Sequence, residues 1–127
     1  MSTKAELKLE QVLRNNPLQP LVLAGKGTFE GENCLALSAT TDERELHIPS
    51  GWHKQLDLLA QTGKVYLLIE GMGEIAASEQ DKFAGLLKDR RAGNYKLPDN
   101  AQIIIPVKDI KALSNKIQTL ALVWDAK

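Results

Sequence analysis

Four largely apolar runs set the terms for this chain: "PLVLAG" at 20–25, "KVYLLIE" at 64–70, "AQIIIPV" at 101–107 and "TLALVWD" at 119–125. A strand with one face in water alternates apolar and polar residues, whereas a strand buried on both faces does not. Between the runs lie segments with helical spacing. Residues 3–15, behind Ser2 or Thr3 as cap, place Leu7, Leu9, Val12 and Leu13 on or near one face and end at "NNP". Ser50 opens a second helix, 51–61, with Leu56, Leu59 and Ala60 downstream of Trp52 and Gly63 as its stop. A third, 78–91, starts with Ser78 and Asp81 in a capping arrangement, buries Phe83, Leu86 and Leu87, and stops at Gly93. Strands alternating with helices of this length read as βαβ units. The expected fold is therefore α/β, a three-layer sandwich about a mostly parallel sheet with 64–70 in its interior and Pro106 at a strand end.

The stretch 26–45 breaks the alternation. "GTFEGENCLALSATTDE" carries two glycines and β-branched threonines, and no cap leads into a helical period. Two candidate strands, 33–39 and 44–48, flank "TTDE"; the pattern leaves open whether they pair with each other, and a β-hairpin is one arrangement that would replace the helix otherwise due after the first strand.

Length and charge narrow the function. A chain of 127 residues is expected to form one domain, 1–127, without metals or disulfides to hold it. Its 16 basic and 16 acidic side chains cancel, which argues against a counterion-release grip on nucleic acid. The densest basic run, Lys88 to Arg91, contains Asp89 and lies at a helix end, where cations complement the dipole. Cys34 is the one cysteine, so no intramolecular disulfide can form. The opening "MSTKAELKLEQVLRNN" mixes charges with leucines, and no window reaches the ~18 apolar residues of a membrane span. A cytoplasmic protein that meets neither membrane nor nucleic acid is the expectation. Cys34, His47 and His53 lack the spacing of a zinc ligand set, so neither metal nor cofactor is expected.

The segment "GKVYLLIEGMGEIAASEQDKFAGLLKDRRAGNYKLPDNAQIII" resembles the core of AAA+ ATPases, most of all the MoxR-like branch. In that family an apolar strand ends in Asp-Glu, a short loop leads to a helix, and a "g.y.lPdn" turn precedes the next apolar strand. The resemblance covers about 50–124 and extends weakly to "QPLVLAG", where the family's nucleotide-binding strand would be. It implies a P-loop NTPase-like, Rossmann-like sheet.

The same resemblance exposes what is missing. Nucleotide binding there uses G-x-x-x-x-G-K-[ST], whose amides wrap the phosphates while the lysine and hydroxyl serve phosphate and magnesium. In "GKGTFEGEN" Gly25 and Gly31 are one residue too far apart, and Glu32 and Asn33 follow where Lys and Ser or Thr belong. Gly25, Lys26, Gly27 and Thr28 remain the candidates for any residual phosphate contact. Ile69 replaces the magnesium-holding Asp, Glu70 matches the water-activating Glu, "IIIPVKD" offers no polar sensor, and Leu120 stands where the trans-acting arginine would lie. A lone carboxylate is a base only if bound nucleotide and metal bring a water to it. The family's helical lid would follow the sheet, but the sequence given stops at Lys127, which is expected to leave half the pocket unmade.

Other catalytic sets are thin. Cys34 with His47 or His53, and Glu70 with Glu74, supply the right groups without a cue to their geometry. The expectation is a degenerate, non-enzymatic AAA+-like module for protein interaction or self-association. The alternatives are a weak ATP or ADP binder using loop 25–31, or an enzyme of unrelated chemistry on a Rossmann-like sheet.

Overall fold

The apolar runs become strands of one sheet. A computed structural model describes residues 19–25, 33–41, 44, 51–92 and 95–125. Its strands are β1 (Leu21–Ala24), β2 (Cys34–Ser38), β3 (Val65–Glu70), β4 (Arg91–Ala92), β5 (Tyr95–Lys96), β6 (Ala101–Val107) and β7 (Leu122–Asp125). Five of them form a sheet in the order β2-β3-β6-β1-β7, with every neighbouring pair parallel. β4 and β5 make a separate antiparallel hairpin. The run at 64–70 is interior, as its continuity requires. Pro106 sits one residue from the end of β6, where the ladder to β3 has stopped at Ile104 and β1 alone runs alongside.

Strand geometry sends alternate side chains to opposite faces. Val22 and Ala24 of β1, Val65, Leu67 and Ile69 of β3, and Ile103, Ile105 and Val107 of β6 point one way. They pack there against Leu56 of α1 (Gly51–Ala60), Phe83, Leu86 and Leu87 of the 77–89 region, and Ile117 of α4 (Asn115–Leu120). Leu21, Leu23, Leu68 and Ile104 point the other way, joined by Cys34, Tyr66, Leu122 and Trp124. Among the described residues, the members of that second cluster all lie in strands.

The expected helix 78–91 is real in place but not in form. It divides into α2 (Ala77–Gln80), a 3-10 turn (Asp81–Phe83) and α3 (Ala84–Asp89). Ser78 does not cap it: Ala76 is the cap residue and makes no side-chain bond, while Asp81 accepts from the Ser114 hydroxyl at 3.1 Å. Gln80 is drawn fully inside. Its Nε2 donates to the carbonyls of Ile75 (3.1 Å) and Ala112 (2.8 Å), and its Oε1 accepts from the Ser114 amide at 2.6 Å. The helix ends at Arg90, short of Gly93. Arg90 adopts the left-handed conformation (φ 56°), and its guanidinium donates to the carbonyls of Pro98 (2.7 Å) and Ala101 (2.8 Å). A tertiary anchor thus stops the helix, where a glycine was expected to.

Two other boundaries move. The last strand begins at Leu122, because Ser114 caps an unforeseen helix, α4: its hydroxyl accepts from the Ile117 amide at 3.2 Å, and Ile117 is buried. In the stretch 26–45, Cys34–Ser38 is a strand, so no regular helix of ten residues starts near Gly31. It is not seen as a hairpin arm, however. β2 joins the sheet parallel to β3, because Leu35 and Leu37 supply the same core as α1; Arg44 is helical. The rest of 44–48, the helix at 3–15 and the Ser50 cap lie outside the described residues.

Replacing Gln80 by Leu removes the partner of two carbonyls and one amide that belong to half-buried or exposed residues, so only part of the usual unpaired cost of about 1–3 kcal/mol applies to each. Gln80→Leu is expected to cost about 2 kcal/mol in urea unfolding, and a loss below about 0.5 kcal/mol would show the network to be unimportant.

Candidate functional site

Because the five strands run parallel, all their carboxyl ends reach one edge of the sheet, the edge at which open α/β sheets bind ligands. Gly25 follows β1, Glu70 ends β3, and Lys108 follows β6, which lies between the other two. Gly25 has φ 90°, a left-handed turn that glycine accepts at no steric cost. Lys26, Gly27 and Thr28, the other residues singled out for phosphate contact, lie outside the described residues, as do Gly31 and Glu32.

The acid strand resolves clearly. Ile69 is completely buried in the helix-side core, and Glu70, one residue on, is exposed at the edge. The Glu70 carbonyl accepts from the Ala39 amide at 2.8 Å, tying the ends of β3 and β2 together. Gly71 then turns with φ 83° into a 3-10 turn, Met72–Glu74, in which Met72 is fully buried and Glu74 is exposed. Beside Glu70, the hydroxyls of Ser38 and Thr40 lie 2.7 Å apart, and Ser38 Oγ accepts from the Thr40 amide at 3.2 Å. After β6, Asp109 Oδ1 accepts from the Lys111 amide at 2.9 Å and so serves as a turn cap. Leu120 packs partly buried against the same core as Ile69. Among the described residues no group of three or more His, Cys, Asp or Glu side chains comes together to hold a metal ion.

Cys34 and His53 cannot form a nucleophile and base pair. Cys34 belongs to the second face of the sheet, while α1, which carries His53, packs on the first. His47 lies outside the described residues. His53 instead sits in an aromatic cluster that sequence reading missed. Its ring is 2% exposed and stacks on Tyr95 at 4.0 Å and 8°, with Trp52 edge-on to both. The Tyr95 hydroxyl donates to Asp57 Oδ1 at 2.7 Å. This fastens the β4–β5 hairpin to α1. No local pattern announces it, because Tyr95 lies far from α1 in the chain.

No family model matches this chain, and none of the curated proteins compared with it matches either. The described residues include no helix long and apolar enough to cross a membrane.

Two outcomes follow from this geometry. Ile69→Asp places a charge in a dry core, so it is expected to cost at least about 3 kcal/mol and to create no magnesium dependence. Unfolding with and without magnesium decides the matter, and a variant of unchanged stability with a magnesium-dependent shift would sink the reading. The second outcome concerns Tyr95 and Tyr66. Burial raises both phenols above their ordinary 10.0, with the Asp57 bond adding to Tyr95 and nearby Cys34 to Tyr66. A raised folded value stabilises the fold below the unfolded pKa and is lost as pH climbs through the folded one. Tyrosinate absorbance of the folded chain should stay low at pH ~10, where free tyrosine is half ionised. Tyr95→Phe should remove the later of the two transitions; an ordinary titration at pH ~10 would refute the burial argument.

Proposed function

We propose that this chain is a non-catalytic AAA+-like domain that acts by contact, docking onto another protein or assembling with a copy of itself. One observation carries the reading: Ile69, at the family's magnesium-holding position, is wholly buried in the core. Phosphoryl transfer relies on positioned cations and donors around the phosphates, and a core isoleucine offers neither. Leu120, at the position of the trans-acting arginine, packs against the same core.

Further support comes from topology. The strands matching the family's loop, acid and sensor positions, β1, β3 and β6, end at one edge with β6 between the others. Residues 25–33 connect β1 to β2, fewer than the dozen or so of an ordinary helical crossover. A cytoplasmic setting belongs to the same proposal and rests on the lone Cys34.

Melting of the purified chain with millimolar ATP or ADP and magnesium tests the reading. No shift is expected, whereas a ligand at a hundred times its dissociation constant would add about 2.7 kcal/mol. A clear shift without phosphate release would establish the weak nucleotide binder in its place. Phosphate release abolished by Glu70→Gln would establish an ATPase. Sedimentation of the pure chain over a wide concentration range reads the self-assembly arm, and a monomer throughout confines the proposal to a foreign partner.

A further inference from the structure

The densest basic run of the chain does not stay at the helix end, where its charges would serve the dipole. α3 stops at Asp89, Arg90 turns inward to the carbonyls of Pro98 and Ala101, and Arg91 passes into β4. There Arg91 stands directly opposite Lys96 of β5. The Leu97 amide donates to the Arg90 carbonyl at 2.9 Å, so the neighbouring pair is the hydrogen-bonded one. Bonded and non-bonded pairs alternate along an antiparallel ladder, which leaves Arg91 and Lys96 as a non-bonded pair with Cα atoms about 4.5 Å apart. Both side chains are exposed.

Like charges at directly opposed positions repel, and a ladder of two pairs has little to set against them. The hairpin is fixed all the same. On its other face Ala92 is buried, and Tyr95 stacks on His53 at 4.0 Å with its hydroxyl bonded to Asp57. Leu97, the next residue, is 1% exposed. Two cations are thus held side by side, facing outward, by packing that needs neither of them.

From this we propose that the Arg91–Lys96 pair is a docking surface for an acidic segment of a partner protein, whose carboxylates bridge the two cations. The inference rests on the reading of this chain as a domain that acts by contact, and it gives that reading a surface and a partner chemistry. A guanidinium holds a carboxylate through two parallel bonds and an ammonium holds it as a point charge, so a carboxylate between them removes the repulsion that the free hairpin carries. Residues that break a local rule without helping the fold mark places kept for function. A carboxyl-rich segment fits this surface better than nucleic acid does, because 16 acidic side chains balance the 16 basic ones and leave no net attraction for a long phosphate backbone.

Fluorescence anisotropy of a labelled, capped glutamate decamer, titrated with the full chain at low salt, tests the inference. Binding is expected to weaken by about tenfold or more in Arg91→Glu and in Lys96→Glu, and by less than about twofold in Lys116→Glu, which makes the same charge change at an exposed position of α4. No binding by the unaltered chain, or equal weakening in all three variants, overturns the inference. So does tighter binding of an oligothymidylate of the same length, which would make the surface one for nucleic acid. Melting separates lost binding from a folding defect: relief of the like-charge pair in Lys96→Glu should raise the midpoint by about 2–4 °C, and no rise or a fall would overturn the premise that the pair repels. Because no nucleotide enters this assay, its failure leaves the contact reading standing, whereas an ATP-dependent melting shift would remove that reading and leave the binding result as it is.

Discussion

No side chain of β6 reaches water: all seven residues from Ala101 to Val107 are buried. A strand in that condition needs a partner on each edge and cover on each face, and the rest of the sheet meets those demands. Its first half pairs with β3, Ala101–Ile104 against Val65–Leu68, and its second half with β1, Ile104–Val107 against Leu21–Ala24. Ile104 belongs to both ladders. The staggered pairing fixes where β1 and β3 end relative to each other, and hence where Gly25 and Glu70 emerge. At roughly 1.5–3 kcal/mol for each fully buried aliphatic side chain, Ile103, Ile104, Ile105 and Val107 bind the two faces into one unit.

The polar fastenings stand around that strand. The last carbonyls of α1 would be orphans at its end. Asn33 Nδ2 donates to Leu59 and Lys64, and Asn100 Nδ2 to Ala60 and Gly63, all at 2.7–3.0 Å. The same two asparagines give their own carbonyls to the amides of Tyr66 and Val65. The turn from α1 into β3 is thus clamped from both sides, by the residues that lead into β2 and β6. Asn33 takes a left-handed φ of 60°, a conformation asparagine tolerates better than most residues. Arg90 does the comparable service for α3 at the turn into β6, where burial lowers its pKa and Asp99 works against that shift.

What the sequence made readable was governed by local pattern. Continuous apolar runs named the interior strands, and 64–70 and 101–107 came out with nearly their true bounds, because burial on both faces writes itself into every residue. Features set by distant partners were not readable. Gln80 looks like an ordinary exposed helix residue until Ala112 and Ser114 are seen beside it. Arg90 ends a helix against a turn that lies beyond the hairpin. The α4 helix was hidden because its last residues, Thr119 and Leu120, run into the apolar stretch 120–124 without a break, and only the Ser114 cap marks its start. At the candidate site, the exposed Glu70 and the turn glycine Gly25 emerge at the expected edge. The Ser38–Thr40 pair and the stacked His53 and Tyr95 gave no signal, since their meaning depends on the fold.

An active site differs from a scaffold in keeping polar groups that the fold itself leaves available for a ligand. In the connections that follow β2, β3 and β6, several polar groups are engaged within the chain. Asp109 caps a turn, Ser38 and Thr40 bind each other, Ser114 caps α4 and holds Asp81, and Gln80 is bonded through both ends of its amide. The positions where the resemblance calls for charge have gone the other way, with Ile69 and Leu120 joining the core. A carboxylate in place of Ile69 would take a wholly buried side chain out of the core that it shares with Met72 and Leu67. Ile69 and Leu120, at the positions where the resemblance calls for a magnesium-holding acid and an arginine, help to fix the packing of the domain, and a fixed shape is what the proposed role by contact requires.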